Sequence, residues 1–174
     1  MRWRLVRPAL LAWAMSNRSF TIERARDDEA TFAEALDMSA KQHRQGALAP
    51  MNPDKVARVV FEVMADNLMI FARDPAGKAI GMLPLSREEI FYSDVTYFQN
   101  IGLWIEPEWR KTGVLRGLLK EAAREADKHD TFVLITISDP DRRKRPADPE
   151  AQTIGYVSVG YTLKLQGKSK SHGR

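Results

Sequence analysis

The chain of 174 residues contains no cysteine. That single absence excludes disulfide staples, cysteine-ligated zinc and a thiol nucleophile together. Histidine is also scarce: His43, His129 and His172 lie far apart without ligand-like spacing, so no metal site is expected. Long hydrophobic runs are missing too. The apolar stretch at residues 9–15 follows Arg2, Arg4 and Arg7 and superficially suggests a signal peptide. It lacks a small-x-small cleavage pattern and is far too short to span a bilayer. No membrane partner is expected, and a cysteine-free chain is compatible with the reducing cytoplasm.

Composition points to a folded protein: hydrophobic residues make up 44% and charged residues 29%, which describes one globular domain rather than a disordered segment. The net charge of +4 sits in the ends. Arg2, Arg4 and Arg7 lie near the start, and Lys168, Lys170 and Arg174 near the finish. Removing these six cations from +4 leaves −2 for residues 15–165. Residues 1–18 are therefore expected to be a non-essential extension, 19–165 the domain, and 166–174 a flexible basic tail. A second start-like Met15 precedes the first strand pattern, so residues 1–14 read as an extension from an upstream start codon, with an interfacial or targeting peptide and a packed helix as the alternative readings.

From residue 19 the pattern is regular. Residues 20–25 alternate as a strand. Asp27, Asp28 and Glu29 place carboxylates at the start of a helix that carries Phe32 and Leu36 and ends near residues 43–46. Asn52 as N-cap and Pro53 at the first helical position open a second helix, with Val56, Val59, Val60, Val63 and Met64 at helical spacing. Strands are expected at 68–73 and 78–85, joined by the turn Asp74-Pro75-Ala76-Gly77. A further strand is expected over 97–105. A third helix follows, with Val114, Leu115, Leu118, Leu119, Ala122, Ala123 and Ala126 inward and Lys120, Glu121, Arg124, Glu125 and Lys128 outward. Residues 131–137 read as a buried central strand. A polar loop over 140–149, a short helix near 150–158 and a strand at 161–165 complete the order.

The most informative stretch lies between the fourth strand and the third helix. Leu103-Trp104-Ile105 runs into Glu106-Pro107, then into the basic turn Arg110-Lys111-Thr112-Gly113-Val114-Leu115-Arg116, and the turn opens directly into the helix. Unpaired amides at such a helix start converge on one point, and the helix dipole adds positive potential there. Strand, basic turn and helix N-terminus form an anion site suited to phosphate. A second motif, Tyr156-Val157-Ser158-Val159-Gly160-Tyr161, joins a helix to the last strand.

The turn resembles the pyrophosphate loop of the GNAT N-acetyltransferase superfamily, written Gln/Arg-x-x-Gly-x-Gly/Ala. The closing segment is similar to that family's Tyr-x-x-x-Gly-Phe, and the element order over about 19–165 follows the family's order. The resemblance implies an α/β (α+β) GNAT acyltransferase fold: a mixed, mostly antiparallel central sheet with a splayed parallel strand pair and helices on both faces. It further implies acetyl-CoA as co-substrate, its pantetheine arm between strands 97–105 and 131–137. Leu103, Trp104 and Ile105 would meet that arm, and the amide near Leu103 or Trp104 would polarise the thioester carbonyl. Arg110, Lys111, Thr112, Gly113, Val114, Leu115 and Arg116 would hold the pyrophosphate. Tyr156 matches the position that protonates the leaving thiolate. The implied activity is acetyl transfer to a primary amine of a small molecule or peptide, in a cytoplasmic enzyme that can form a homodimer.

Three departures support an alternative, a non-catalytic binding or assembly module of the same fold. Leu115 stands where the family has a small residue, Pro149 where it often has Asn, and no carboxylate or His lies on strand 97–105. Glu88, Glu89 and Asp94 are left as carboxylates at the open end. A third reading, nucleic-acid association through Arg142-Arg143-Lys144-Arg145 and the tail, rests on charge alone, without aromatics interleaved beside it.

Overall fold

Side-chain capping and tight turns set the element boundaries in the computed structural model, which describes residues 18–46, 49–138 and 160–165. Strand β1 (Thr21–Arg24) leads to helix α1 (Glu29–Gly46), whose first turn is capped by Asp28 accepting the Thr31 amide at 2.7 Å. That bond, above all, holds the Asp28 carboxyl below its ordinary pKa. Helix α2 (Pro53–Asp66) is capped by Asn52, which accepts the Lys55 amide at 3.0 Å, with Pro53 where a missing N–H loses nothing. Strand β2 (Leu68–Arg73) turns at Asp74, whose carboxylate accepts from the Ala76 and Lys78 amides, with Gly77 at φ +83°. Strand β3 (Ala79–Glu89) follows, then β4 (Thr96–Asn100), β5 (Trp104–Ile105), a 3-10 turn at Pro107–Trp109, helix α3 (Val114–Lys128), β6 (Val133–Ser138) and β7 (Gly160–Leu165).

Among the described residues the sheet has seven strands, ordered β1-β2-β3-β4-β6-β7, with β5 paired to β3 off that path. Neighbours are antiparallel except β4 and β6, which run parallel. β2 is buried throughout, and its alternation divides the core between two faces. Leu68, Ile70 and Ala72 pack toward α3 with Val114, Leu118 and Ala122. Met69 and Phe71 face α1 and α2 with Ala35, Met38, Val60 and Val63. Gly81 permits the close approach of α3: a Cβ there would lie 3.0 Å from a Val114 methyl. No described helix is long and apolar enough to cross a membrane.

Two expectations change. Strand 97–105 is not continuous: it ends at Asn100 and resumes at Trp104. Glu125, placed outward by periodicity, is buried, with Lys128 and Arg124 at its carboxylate.

Candidate active site

The break in the fourth strand has a local cause. Pro84 on β3 has no amide to give the opposing strand, so only its carbonyl is used, accepting from Ile101 N at 3.1 Å. Gly102 fills the irregular position, where a Cβ would lie 2.8 Å from Gln42 Oε1 and 3.3 Å from the Pro84 ring. β3 thus pairs with β4 at one end and β5 at the other, and the chain between them bulges.

This bulge opens the parallel pair. β4 and β6 are in register only at Phe98 with Val133 and Gln99 with Leu134. Beyond them the Asn100 side chain substitutes for a backbone rung: its Nδ2 donates to Thr136 O at 3.0 Å and its Oδ1 accepts from Thr136 N at 2.7 Å. β5 pairs with β3 and not with β6, so a gap lies past Asn100. The Glu106 amide donates to Ile80 O at 2.9 Å. Alternation then turns the Trp104 amide toward β3 and the Leu103 amide toward the gap. The Leu103 amide has no acceptor among the described residues.

The gap leads along β5 to the basic turn. Trp109 is buried, and its carbonyl accepts from Thr112 N at 3.2 Å and Thr112 Oγ1 at 2.7 Å, closing the loop. Gly113 is the N-cap of α3 at φ +93°, a conformation that only glycine adopts freely. The amides of Gly113, Val114, Leu115 and Arg116 have no acceptor among the described residues. A Cβ on Gly113 would meet nothing within 4 Å, so the space before these amides is open. Lys111 and Arg116 are exposed, with no ion pair among the described residues. Open amides, a helix start and two available cations fit a pyrophosphate.

Arg110 and Leu115 do different work. The Arg110 guanidinium donates to Ile105 O at 3.0 Å and Gln45 Oε1 at 2.8 Å and lies 5.1 Å from the centre of the Trp104 ring. Its amide donates to Pro107 O at 3.4 Å. Arg110 thus ties the turn to β5 and α1 instead of facing the open amides. Leu115 packs against the hydrophobic core with Leu119, which turns its bulk away from the helix start.

Glu106, just before the turn, is anchored by Lys41 of α1 at 2.6 Å, and Lys41 also meets Asp37 at 2.7 Å. The bonds to Asp37 and Glu106 raise the Lys41 ammonium above its ordinary pKa of 10.5. With the Glu106 side chain only 11% exposed, Lys41→Met is expected to destabilise the protein by about 1–3 kcal/mol, the penalty for an unpaired buried acceptor. A raised cationic pKa stabilises below the unfolded value and ceases to do so as pH rises through the folded one. The difference between wild type and variant in urea unfolding should therefore shrink only above about pH 10.5. An equal difference on both sides of that pH would show that the ion pair is not its source.

On the α1 and α2 side of the sheet, a groove of about 220 Å³ opens beside the bulge. Val56, Val59, Met69, Met82 and Ile101 give it apolar walls, and Gly102 lies at its edge beside Gln42. Glu88, Glu89 and Asp94 are exposed around the β3–β4 hairpin and are not among its lining residues. Among the described residues, no group of three or more His, Cys, Asp or Glu side chains is placed to hold a metal.

This arrangement of sheet and helices has many solved counterparts. A predicted acetyltransferase from Clostridium acetobutylicum, solved with acetyl-CoA, superposes with a TM-score of 0.59 over 81% of this chain and 92% of its own, at 13% identity. A GNAT family acetyltransferase from Brucella melitensis in complex with acetyl-CoA gives 0.55 over 87% and 91%, also at 13% identity. A possible acetyltransferase from Clostridium difficile 630 gives 0.58 over 83% and 94%, at 11% identity. The chain has the GNAT fold. No protein-family model and no curated protein matches its sequence.

Within the GNAT fold, Leu103 precedes β5, Trp104 and Ile105 form β5 against β3, and Lys111 to Arg116 make up the turn and helix start that follow. Tyr156 and the cluster Arg142-Arg143-Lys144-Arg145 lie outside the described residues. Three residues of the site escaped sequence reading. Asn100 bridges the parting strands, Gln42 lies against the bulge, and Lys55 borders the groove. A polar residue inside an apolar strand pattern, two positions before Gly102, was the signal for Asn100; Gln42 and Lys55 read as ordinary helix-surface residues.

Proposed function

We propose that the protein is an acetyl-CoA-dependent N-acyltransferase that moves an acetyl group directly from the thioester to a primary amine. The observation that carries this reading is the continuity of gap and anion turn. The Leu103 amide, without an acceptor among the described residues, faces the gap, and β5 leads from it to the turn whose Gly113, Val114, Leu115 and Arg116 amides likewise have none among the described residues. When bound, acetyl-CoA supplies an activated acyl thioester. The helix-start amides, with Lys111 and Arg116, are suited to hold its pyrophosphate, and the Leu103 amide to donate to an acyl oxygen. Tyr156 is assigned the proton for the departing thiolate. Support also comes from the two counterparts solved with acetyl-CoA.

The direct test is calorimetric titration of the full chain with acetyl-CoA and coenzyme A. Saturable one-to-one binding of both is expected. Absence of heat with either, on protein shown to be folded, would overturn the reading. Binding without transfer to any amine would instead favour the non-catalytic module.

A further inference from the structure

The groove beside the bulge carries information about the acceptor. It lies on the α1 and α2 face, bounded by Ile101 and Gly102, where the fourth strand leaves β6 and the gap begins. Its volume of about 220 Å³ falls below the roughly 300–1,000 Å³ of sites for drug-sized ligands. Most of its lining is apolar. Ile101 remains 47% exposed there, a large aliphatic side chain left without cover.

The polar groups are few and mostly uncommitted. Ser39 is used, since its hydroxyl donates to Ala35 O at 2.8 Å. The Gln42 carboxamide has no hydrogen bond among the described residues and lies against Gly102. Lys55 is the single charged residue of the described lining, exposed and with no ion pair among the described residues. The charge bordering the groove is therefore positive, and no carboxylate lines it among the described residues.

Resting on the transferase reading above, we propose that the acceptor is a small amine bearing a carboxylate and an apolar side chain, with a free apolar α-amino acid as the simplest case. Lys55 pairs with the carboxylate, the valine and methionine walls cover the side chain, and Gln42 orients the amine at the bulge. In the transfer the amine nitrogen bonds to the acyl carbon and the thioester C–S bond breaks. The thiolate takes one proton, and the amine's surplus proton leaves to solvent. A polycationic acceptor would instead set ammonium groups against Lys55 without a lining carboxylate to receive them.

The test compares L-leucine, L-leucinamide and spermidine as acceptors for the full chain with acetyl-CoA. It also measures N-acetyl-L-leucine binding by ligand-observed NMR in the presence of coenzyme A. Leucine should be preferred over both other amines by at least about tenfold in kcat/KM. Lys55→Gln, at an exposed position, should raise KM for leucine about tenfold with little change in kcat, and leave leucinamide unaffected. Preference for leucinamide or spermidine, or an unchanged KM in the variant, overturns the proposal. Failure of N-acetyl-L-leucine to bind while acetyl-CoA binds normally overturns it and leaves the transferase reading standing. Failure of acetyl-CoA itself to bind removes both.

Discussion

Tyr156→Phe is expected to lower turnover by about 10²–10⁴-fold, the usual worth of a positioned general acid, while acetyl-CoA affinity stays nearly constant. The substitution keeps the aromatic ring and removes the phenolic hydroxyl. A phenol is suited to this task because its pKa of about 10 lies near that of a thiol at about 8.5, so the proton can pass between them. Selective loss of kcat, with the binding isotherm unchanged, separates a proton source from a packing residue. The measurement is single-turnover transfer to an established acceptor, where chemistry limits the rate. Full activity in the variant would assign the proton to water or another side chain and leave Tyr156 without a part in the transfer.

Gly113→Val should weaken acetyl-CoA binding at least tenfold, about 1.4 kcal/mol. Two features of the turn give this expectation. The backbone at Gly113 has φ +93°, where a β-branched residue is strained by roughly 1–3 kcal/mol. Relief of that strain must rotate the peptide units whose amides open toward the anion. The added side chain would also stand in open space at the turn, where a Cβ meets no atom of the described residues within 4 Å. Loss of affinity therefore does not require a clash inside the fold. Calorimetry should show the weakening, circular dichroism an intact fold, and Gly113→Ala an intermediate effect. Undiminished affinity in the folded Val variant would remove the turn from the binding site.

Much of this architecture is written locally in the sequence. Asn52 with Pro53, and Asp74 with Gly77, mark boundaries through interactions within a few residues, so their elements were legible. The anion turn was legible for the same reason, since strand, glycine and helix adjoin in sequence. The gap was not. The apolar run 97–105 has the periodicity of one strand, and what interrupts it is Pro84 on a different strand. Arg110 looked like a phosphate ligand because its neighbours are basic, yet its partners come from α1 and β5. Glu125 looked solvent-facing because charge usually is, and only tertiary packing puts it under Lys128 and Arg124. Gln42 and Lys55 acquire meaning through the approach of α1 and α2 to the bulge, which no local pattern encodes.

The Asn100 clasp has a thermodynamic corollary. Among the described residues the β4–β6 ladder has two backbone positions, supplemented by the Asn100 carboxamide and by the Thr131 hydroxyl donating to Thr96 O, so the hydrogen-bonded seam between the parallel strands is short. A ligand seated in the gap would be mortar as well as reactant. Any ligand that binds only the native state stabilises it by RT ln(1 + [L]/Kd), about 2.7 kcal/mol at a hundredfold excess over Kd. Here that stabilisation would enter where the parallel strands part. Saturation with the nucleotide thioester would then act on how uniformly the two parts of the sheet unfold, and not merely on how high they melt.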